Sequence, residues 1–185
     1  MEFTGERVVP WAKSMRERPD LVQSHIARYN WTLAGVVGKT VVDLGCGTGY
    51  GSFLLSFLAE RVIGLDVDQE SIEFAKRQFE GVEFLVCDLE AVDVLPQADV
   101  YVAFEVLEHL EKPRALAEKI PGYLVWSLPI NNHSEFHRHV YSLAEAEEFL
   151  PGSQIWYQTP PGIILPKEYA RFSPKCVLGA RKGNS

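Results

Sequence analysis

Two hydrophobic periods alternate along this chain. Short runs of β-branched and aliphatic residues, bounded by glycine, proline or charge, read as buried strands; between them apolar positions recur at three- and four-residue spacing, as on one face of a helix. On this basis strands are predicted over 40–44, 61–66, 82–87, 98–104 and 122–127, and helices over 50–59, 69–78, 113–119 and 143–150. An earlier helix is predicted from Asp20, a residue suited to the N-cap, to the glycine at 38, with Leu21, Ile26, Leu33 and Val37 as its apolar positions. Pro113 fits the first turn of its helix, and Asp68 is the capping residue expected before the helix at 69. Two last strands, 153–158 and 175–180, have only TPPGIILPKEYARFS between them. That segment is proline-rich and lacks a helical period, so a terminal antiparallel hairpin is expected.

Strand–helix alternation of this kind implies an α/β fold with a doubly wound, mainly parallel sheet of about seven strands and right-handed crossovers, closed by a C-terminal antiparallel hairpin. Residues 1–19 read as an irregular N-terminal arm or lid, and 20–185 as a single domain without repeats or linkers.

Composition narrows the class. The chain has 185 residues and 46% hydrophobic content, enough for one full core and too few for a second ordinary domain. A net charge of −7 disfavours a broad nucleic-acid surface. The first ten residues, MEFTGERVVP, carry three charges and no apolar run of a signal peptide, and no stretch approaches the roughly 18 apolar residues of a membrane span. Cys46, Cys87 and Cys176 are scattered and odd in number, as reduced core thiols would be. A cytoplasmic protein with a small-molecule partner, and neither membrane nor nucleic acid, is the expectation.

The densest chemistry lies at 41–52, VVDLGCGTGYGS. An apolar strand runs into Asp43, and Gly45, Gly47 and Gly49 follow on alternate residues before a helical pattern. Such a turn lets a ligand approach the backbone closely at the carboxyl end of a parallel strand. Three ligands compete for it. A P-loop needs a lysine followed by serine or threonine after its last glycine, where this chain has Tyr50 and Gly51. A dinucleotide turn wants glycine or alanine where Tyr50 stands. S-adenosylmethionine (SAM) needs close backbone approach and an acid for its cationic end, which Asp43 offers.

The run D-x-G-x-G-x-G at 43–49 resembles motif I of the class I SAM-dependent methyltransferases, and later residues fall in that family's order. The resemblance spans roughly 21–150 and implies a Rossmann-like fold with SAM as cofactor. Asp66, ending VIGLDVD, matches the acid that takes the ribose hydroxyls, and a carboxylate at that strand tip is able to accept two hydrogen bonds from a cis-diol. Asp88, ending VEFLVCD, matches the acid beside the adenine amino group. Both have a competing structural role, Asp66 as the cap of the turn that follows it and Asp88 as a surface acid at a strand end. The segment FEVLEHL at 104–110 resembles the stretch after strand four in small-molecule and sugar methyltransferases.

On the acceptor side, methyl transfer mainly asks for alignment, a dry site and sometimes a base. The Asn- or Asp-Pro-Pro-aromatic motif of adenine-amino methylation and the Pro-Cys nucleophile of cytosine methylation are both missing after strand four. Acceptors with a hydroxyl or an amine remain. Four of the five histidines fall in two segments expected at the carboxyl face of the sheet, His109 in one and His133, His137 and His139 in the other. His109 and His139 are candidate bases and Glu105 a third catalytic candidate; the competing structural role is that Glu108, His109 and His139 tie the two loops together. The pattern Glu105, Glu108, His109 with a later His139 also resembles the metal site of small-RNA 2′-O-methyltransferases, which would make these four metal ligands. The chain's acidity and its lack of an RNA-binding appendage weigh against that alternative, and no metal is expected.

At the amino terminus FTGERVVP, followed by His25, Arg28 and Tyr29, resembles a leader of bacterial and phage methyltransferases of sugar and surface-glycan pathways. That resemblance implies an arm folded over the cofactor, Tyr29 or Arg28 meeting its carboxylate, Trp11 shielding it, and a sugar or other small polar acceptor. A non-catalytic SAM-binding regulatory subunit is the alternative of a different class.

Overall fold

The computed structural model describes residues 8–171 and 173–183. A 3-10 turn at Lys13–Glu17 leads into α1 (Pro19–Thr32), which ends in a second such turn rather than running on to residue 37. Then follow β1 (Thr40–Leu44), α2 (Tyr50–Ser56), β2 (Arg61–Asp66), α3 (Gln69–Gln78), β3 (Glu83–Val86), β4 (Val100–Ala103), α4 (Pro113–Lys119), β5 (Tyr123–Pro129), α5 (Leu143–Glu147), β6 (Gln154–Thr159), β7 (Ile163–Pro166) and β8 (Cys176–Lys182). Asp68 caps α3 as expected, accepting the Ser71 amide at 2.9 Å.

One sheet carries all eight strands in the order β3-β2-β1-β4-β5-β8-β6-β7. The first five pair in parallel, while β5 with β8, β8 with β6, and β6 with β7 pair antiparallel. Among the described residues the strand count is therefore eight, because IILP at 163–166, inside the segment expected to be a plain connection, pairs with β6. It forms an edge strand, where a proline at the end costs no ladder hydrogen bond. The inserted antiparallel strand is β8, lodged between β5 and β6.

Period two decides which face each strand residue packs on. Along β1, Val41 belongs to the core under α1, α2 and α3, with Tyr29, Leu55 and Ile72, while Val42 and Leu44 belong to the opposite core under α4 and α5, with Leu116, Ala117 and Ala146. Trp126 and Phe149 are fully buried on that second side. The order reverses direction between β1 and β4, so the loops leaving those strands part from each other and open a crevice at their carboxyl ends. No helix of the described residues is long and apolar enough to cross a membrane.

Candidate active site

A cavity of about 460 Å³ occupies that crevice. Its floor is the loop after β1, residues 45–48, and the residues after β4, Phe104 and Glu105; α1 contributes Leu21, His25 and Tyr29, and residues 132–137 after β5 close the far side. Gly45, Gly47 and Gly49 all hold positive φ, at 67°, 54° and 83°. At Gly49 a side chain is excluded twice over, since a Cβ there would lie 2.6 Å from Ala75 Cβ of α3. The loop is pinned from β2: the Gly47 amide donates to Asp66 Oδ2 at 2.7 Å, and the Asp68 amide donates to Asp66 Oδ1 at 2.9 Å. From above, Thr48 Oγ1 donates to the Val8 carbonyl at 2.7 Å, tying the arm to the loop.

Asp43 lies behind this loop and outside the cavity lining, fully buried. Its carboxylate accepts Ser52 Oγ at 2.7 Å and faces the Tyr29 hydroxyl at 3.4 Å. Burial pushes its pKa up to about 7, against the lowering pull of those hydrogen bonds. Expected to meet a cationic ligand directly, Asp43 is instead enclosed behind the loop by Ser52 and Tyr29. Tyr29 does line the cavity, but its hydroxyl turns to Asp43 and its ring packs edge-on against Tyr50 and Phe104. Asp88 stands exposed at the tip of β3 and accepts the Glu90 amide at 2.9 Å.

Arg28 is buried and committed elsewhere: its Nη1 lies 3.3 Å from Glu105 Oε1, 2.9 Å from Gln158 Oε1 and 3.6 Å from Cys176 Sγ. Burial disfavours its charge, yet Glu105, Cys176 and Tyr50 together more than offset this and keep it protonated. Glu105 has positive φ, 54°, a costly setting for a residue with a Cβ, and its side chain is 20% exposed. Ser127 fixes it by accepting the Glu105 amide at 3.1 Å and donating to its carboxylate at 3.2 Å. Burial also pushes the Cys46 and Cys176 thiols up, so neither is a thiolate nucleophile.

The histidines divide. The Nδ1 of His109 is bonded to the Phe136 carbonyl at 2.9 Å and that of His137 to the Asn132 carbonyl at 3.0 Å, with the two rings edge-to-face. Buried Glu108 joins them, and one ligand atom from each of the three lies within 4.8 Å of the others. His137 lines the cavity. His139 does not: its Nε2 faces the Leu110 carbonyl at 3.0 Å, beside Tyr141. The backbone amides of Arg138 and His139 both reach the Glu108 carbonyl, which binds the two histidine-bearing loops together. The foursome Glu105, Glu108, His109 and His139 is thus not assembled, because Glu105 faces Arg28 and His139 faces outward from the cluster.

Two residues were placed differently by sequence reasoning. Trp11, expected as a shield, is 53% exposed and packs on Phe79, away from the cavity; Val8 supplies the arm's contact instead. Residues 3–7 of the leader lie outside the described residues. His25, passed over as a site residue, sits in the cavity wall with Nδ1 3.2 Å from the Tyr50 hydroxyl. Burial, with Arg28 and Arg18 nearby, lowers its pKa well below the usual value, so it stands neutral. The signal was the four-residue step Leu21, His25, Tyr29, which puts all three on one face of α1.

A family profile described as "Methyltransferase domain" matches residues 41–122. That stretch runs from β1 to the start of β5 and contains the glycine loop, Asp66, Asp88 and Glu105. By that match it is a methyltransferase domain. Outside the matched stretch lie α1 and everything after residue 122, which form the other walls of the crevice. Among similar proteins, a probable S-adenosylmethionine-dependent methyltransferase of Mycolicibacterium smegmatis is 34% identical over 112 residues, 60% of this chain and 42% of that protein. A ubiquinone biosynthesis O-methyltransferase of Aeromonas salmonicida is 29% identical over 94% of this chain and 75% of its own length. The chain spans about two fifths of the length of the first curated relatives it matches. Solved structures agree on the fold of the domain. The methyltransferase in a Haloferax volcanii complex with the activator Trm112 superposes with a TM-score of 0.70 at 19% identity, covering 94% of this chain and 92% of that one. The structure named as the DhpI–SAH complex gives 0.66 at 23% identity over 90% and 88%.

Proposed function

We propose that this chain is a SAM-dependent methyltransferase acting on an oxygen or nitrogen of a small polar acceptor, a sugar or glycan precursor being the class favoured. The observation that carries the reading is the cavity over residues 45–48, whose floor is held open by the bond between the Gly47 amide and Asp66. Its volume suits a ligand of cofactor size. The glycine loop lets a ligand lie close to the backbone, Asp66 at the tip of β2 is the carboxylate for a ribose diol, and Asp88 stands on the neighbouring strand tip for the adenine. Tyr29 and Phe104 close the apolar side. SAM, when bound, supplies an electrophilic methyl group; the chain's own task is to align an acceptor and exclude water. His137, His25 and Glu105 line the acceptor side of the cavity, and His109 acts through its contact with His137.

Calorimetry with S-adenosylhomocysteine, followed by transfer of labelled methyl from SAM to sugars and sugar nucleotides, tests the reading. Product-free binding of the homocysteine compound would leave the regulatory-subunit alternative standing, and no binding would remove both. A second reading, metal-assisted transfer, is favoured by one observation: Glu108, His109 and His137 converge, and both imidazoles already engage a carbonyl through Nδ1, which presents Nε2 as a metal donor.

A further inference from the structure

A second cavity, of about 320 Å³, adjoins the first and shares Leu21, His25, Glu105 and Asn132 with it. Except for Glu105 its walls lie outside the matched methyltransferase stretch: α1 on one side, residues 129–132 after β5, the end of β6 at residues 158–160, and Lys175 with Cys176 at the start of β8. The chamber is preformed. Gln158 Nε2 donates to the Ser24 carbonyl at 2.9 Å while Gln158 Oε1 accepts Arg28, so β6 is bolted to α1. The β6–β7 turn presses on the same helix through Gly162, where a Cβ would come within 2.8 Å of Ala27 Cβ.

Two features of the chamber speak to what it takes. Its lining carries no phenyl, phenol or indole ring; apart from Leu21, Ile130, the neutral His25 imidazole and the Cys176 thiol it is amide, hydroxyl, proline and charged side chains. Its charges balance in number, Arg28 and Lys175 against Asp20 and Glu105. An apolar aromatic acceptor would leave the amides and hydroxyls of this lining without partners. The second feature is Arg28 itself. It is 97% buried, taking its 3% exposure, and its Nε has no hydrogen-bond partner. A buried guanidinium N–H left over on a cavity wall is a place for an oxygen atom of a ligand.

We propose that this chamber is the acceptor site and that it selects a non-aromatic, polyhydroxylated molecule of about hexose size, with Arg28 and the exposed amides of Asn131 and Asn132 reading its oxygens. The assignment rests on the methyltransferase reading of the neighbouring cavity. The four shared residues bring an acceptor hydroxyl to the donor side at Glu105 and His25. In the transfer the acceptor's O–C bond to the methyl carbon forms as the methyl–sulfur bond breaks, the sulfur keeps the bonding pair as a neutral thioether, and the hydroxyl proton leaves to water. His25 is faced by Arg18 and Arg28 from its own side and by Tyr50 from α2, with Glu105 after β4 and Glu135 and His137 after β5 across the cavity; burial, reinforced by the two arginines, keeps it neutral, so its part is hydrogen bonding.

The test is ligand-observed saturation-transfer NMR on the full chain loaded with S-adenosylhomocysteine, with free hexoses (mannose, galactose, rhamnose) and catechol as probes. Hexose signals are expected in the wild type and none from catechol. Ser24→Trp, which fills the chamber from α1, should abolish the hexose signal while calorimetric affinity for S-adenosylhomocysteine is retained; Asp20→Trp at the exposed rim replaces it if the first variant does not fold. Catechol binding without hexose binding, or a hexose signal that survives chamber filling, overturns the proposal. Absence of S-adenosylhomocysteine binding in the wild type would instead strike the methyltransferase reading on which it rests.

Discussion

Asp66 Oδ2 accepts the Gly47 amide at 2.7 Å, so the acid proposed to meet the ligand's diol also shapes the loop beside it. Replacing it therefore acts twice. Asp66→Ala should weaken S-adenosylhomocysteine binding by about 1–3 kcal/mol, the scale of hydrogen bonds to a charged group. Thermal melting should fall as well, since two amides lose their acceptor. Calorimetry on the folded variant checks the first, and unchanged affinity would detach Asp66 from the ligand.

Asp43 gives the protein a pH signature. Its pKa is 3.8 in the unfolded chain and about 7 in the folded one. Below the lower value it is neutral in both states and its burial costs no charge. As pH rises from there through 7 the unfolded chain ionises first, so this residue's contribution is lost, by about 4 kcal/mol in all. Asp43→Asn retains an acceptor for Ser52 and cannot ionise. Denaturant titrations in steps across that window should show the wild type losing stability relative to Asp43→Asn, and parallel curves would contradict the buried-acid assignment.

Arg28 and Glu105 hold each other in a nearly dry setting. Arg28→Met leaves Glu105 facing Cys176 and Ser127 without its cation and should cost about 2–4 kcal/mol of stability. Adding Glu105→Gln to that variant should recover part of the loss, because the stranded charge is then gone. A double-mutant cycle by urea denaturation measures this, and strict additivity would mean the pair is not coupled.

The metal-assisted reading is decided at Glu108, His109 and His137. It requires that Co²⁺ bind the purified chain in near 1:1 ratio with ligand-field bands, that His109→Ala and His137→Ala each abolish uptake, and that His139→Ala leave it intact. A chain that takes up no Co²⁺ disposes of that reading.

The donor half of the crevice was legible in the sequence because it depends on local rules. Alternate glycines demand positive φ wherever they stand, and β1, β2, α3 and α4 begin and end where hydrophobic period, capping and proline placed them. What escaped depended on contacts between distant segments. Nothing in IILP distinguishes an edge strand from a connection until β6 lies beside it. His139 and His137 are two residues apart in a loop, and only its path decides which one reaches the cavity. Asp43 reads as a ligand acid until Ser52 and Tyr29 are seen to enclose it. Gln158, Cys176 and Ser127 carried no motif at all, yet they surround the Arg28–Glu105 pair.

The position of β8 has a consequence for the order of assembly during synthesis. It is made after β6 and β7 but lies between β5 and β6, so the β6–β7 ribbon has no seat on the sheet until residues 176–182 have left the ribosome. A nascent chain can already complete the five parallel strands and the glycine loop. The wall that β6 contributes beside α1 comes last, so the floor of the first cavity is in place before the second chamber is closed.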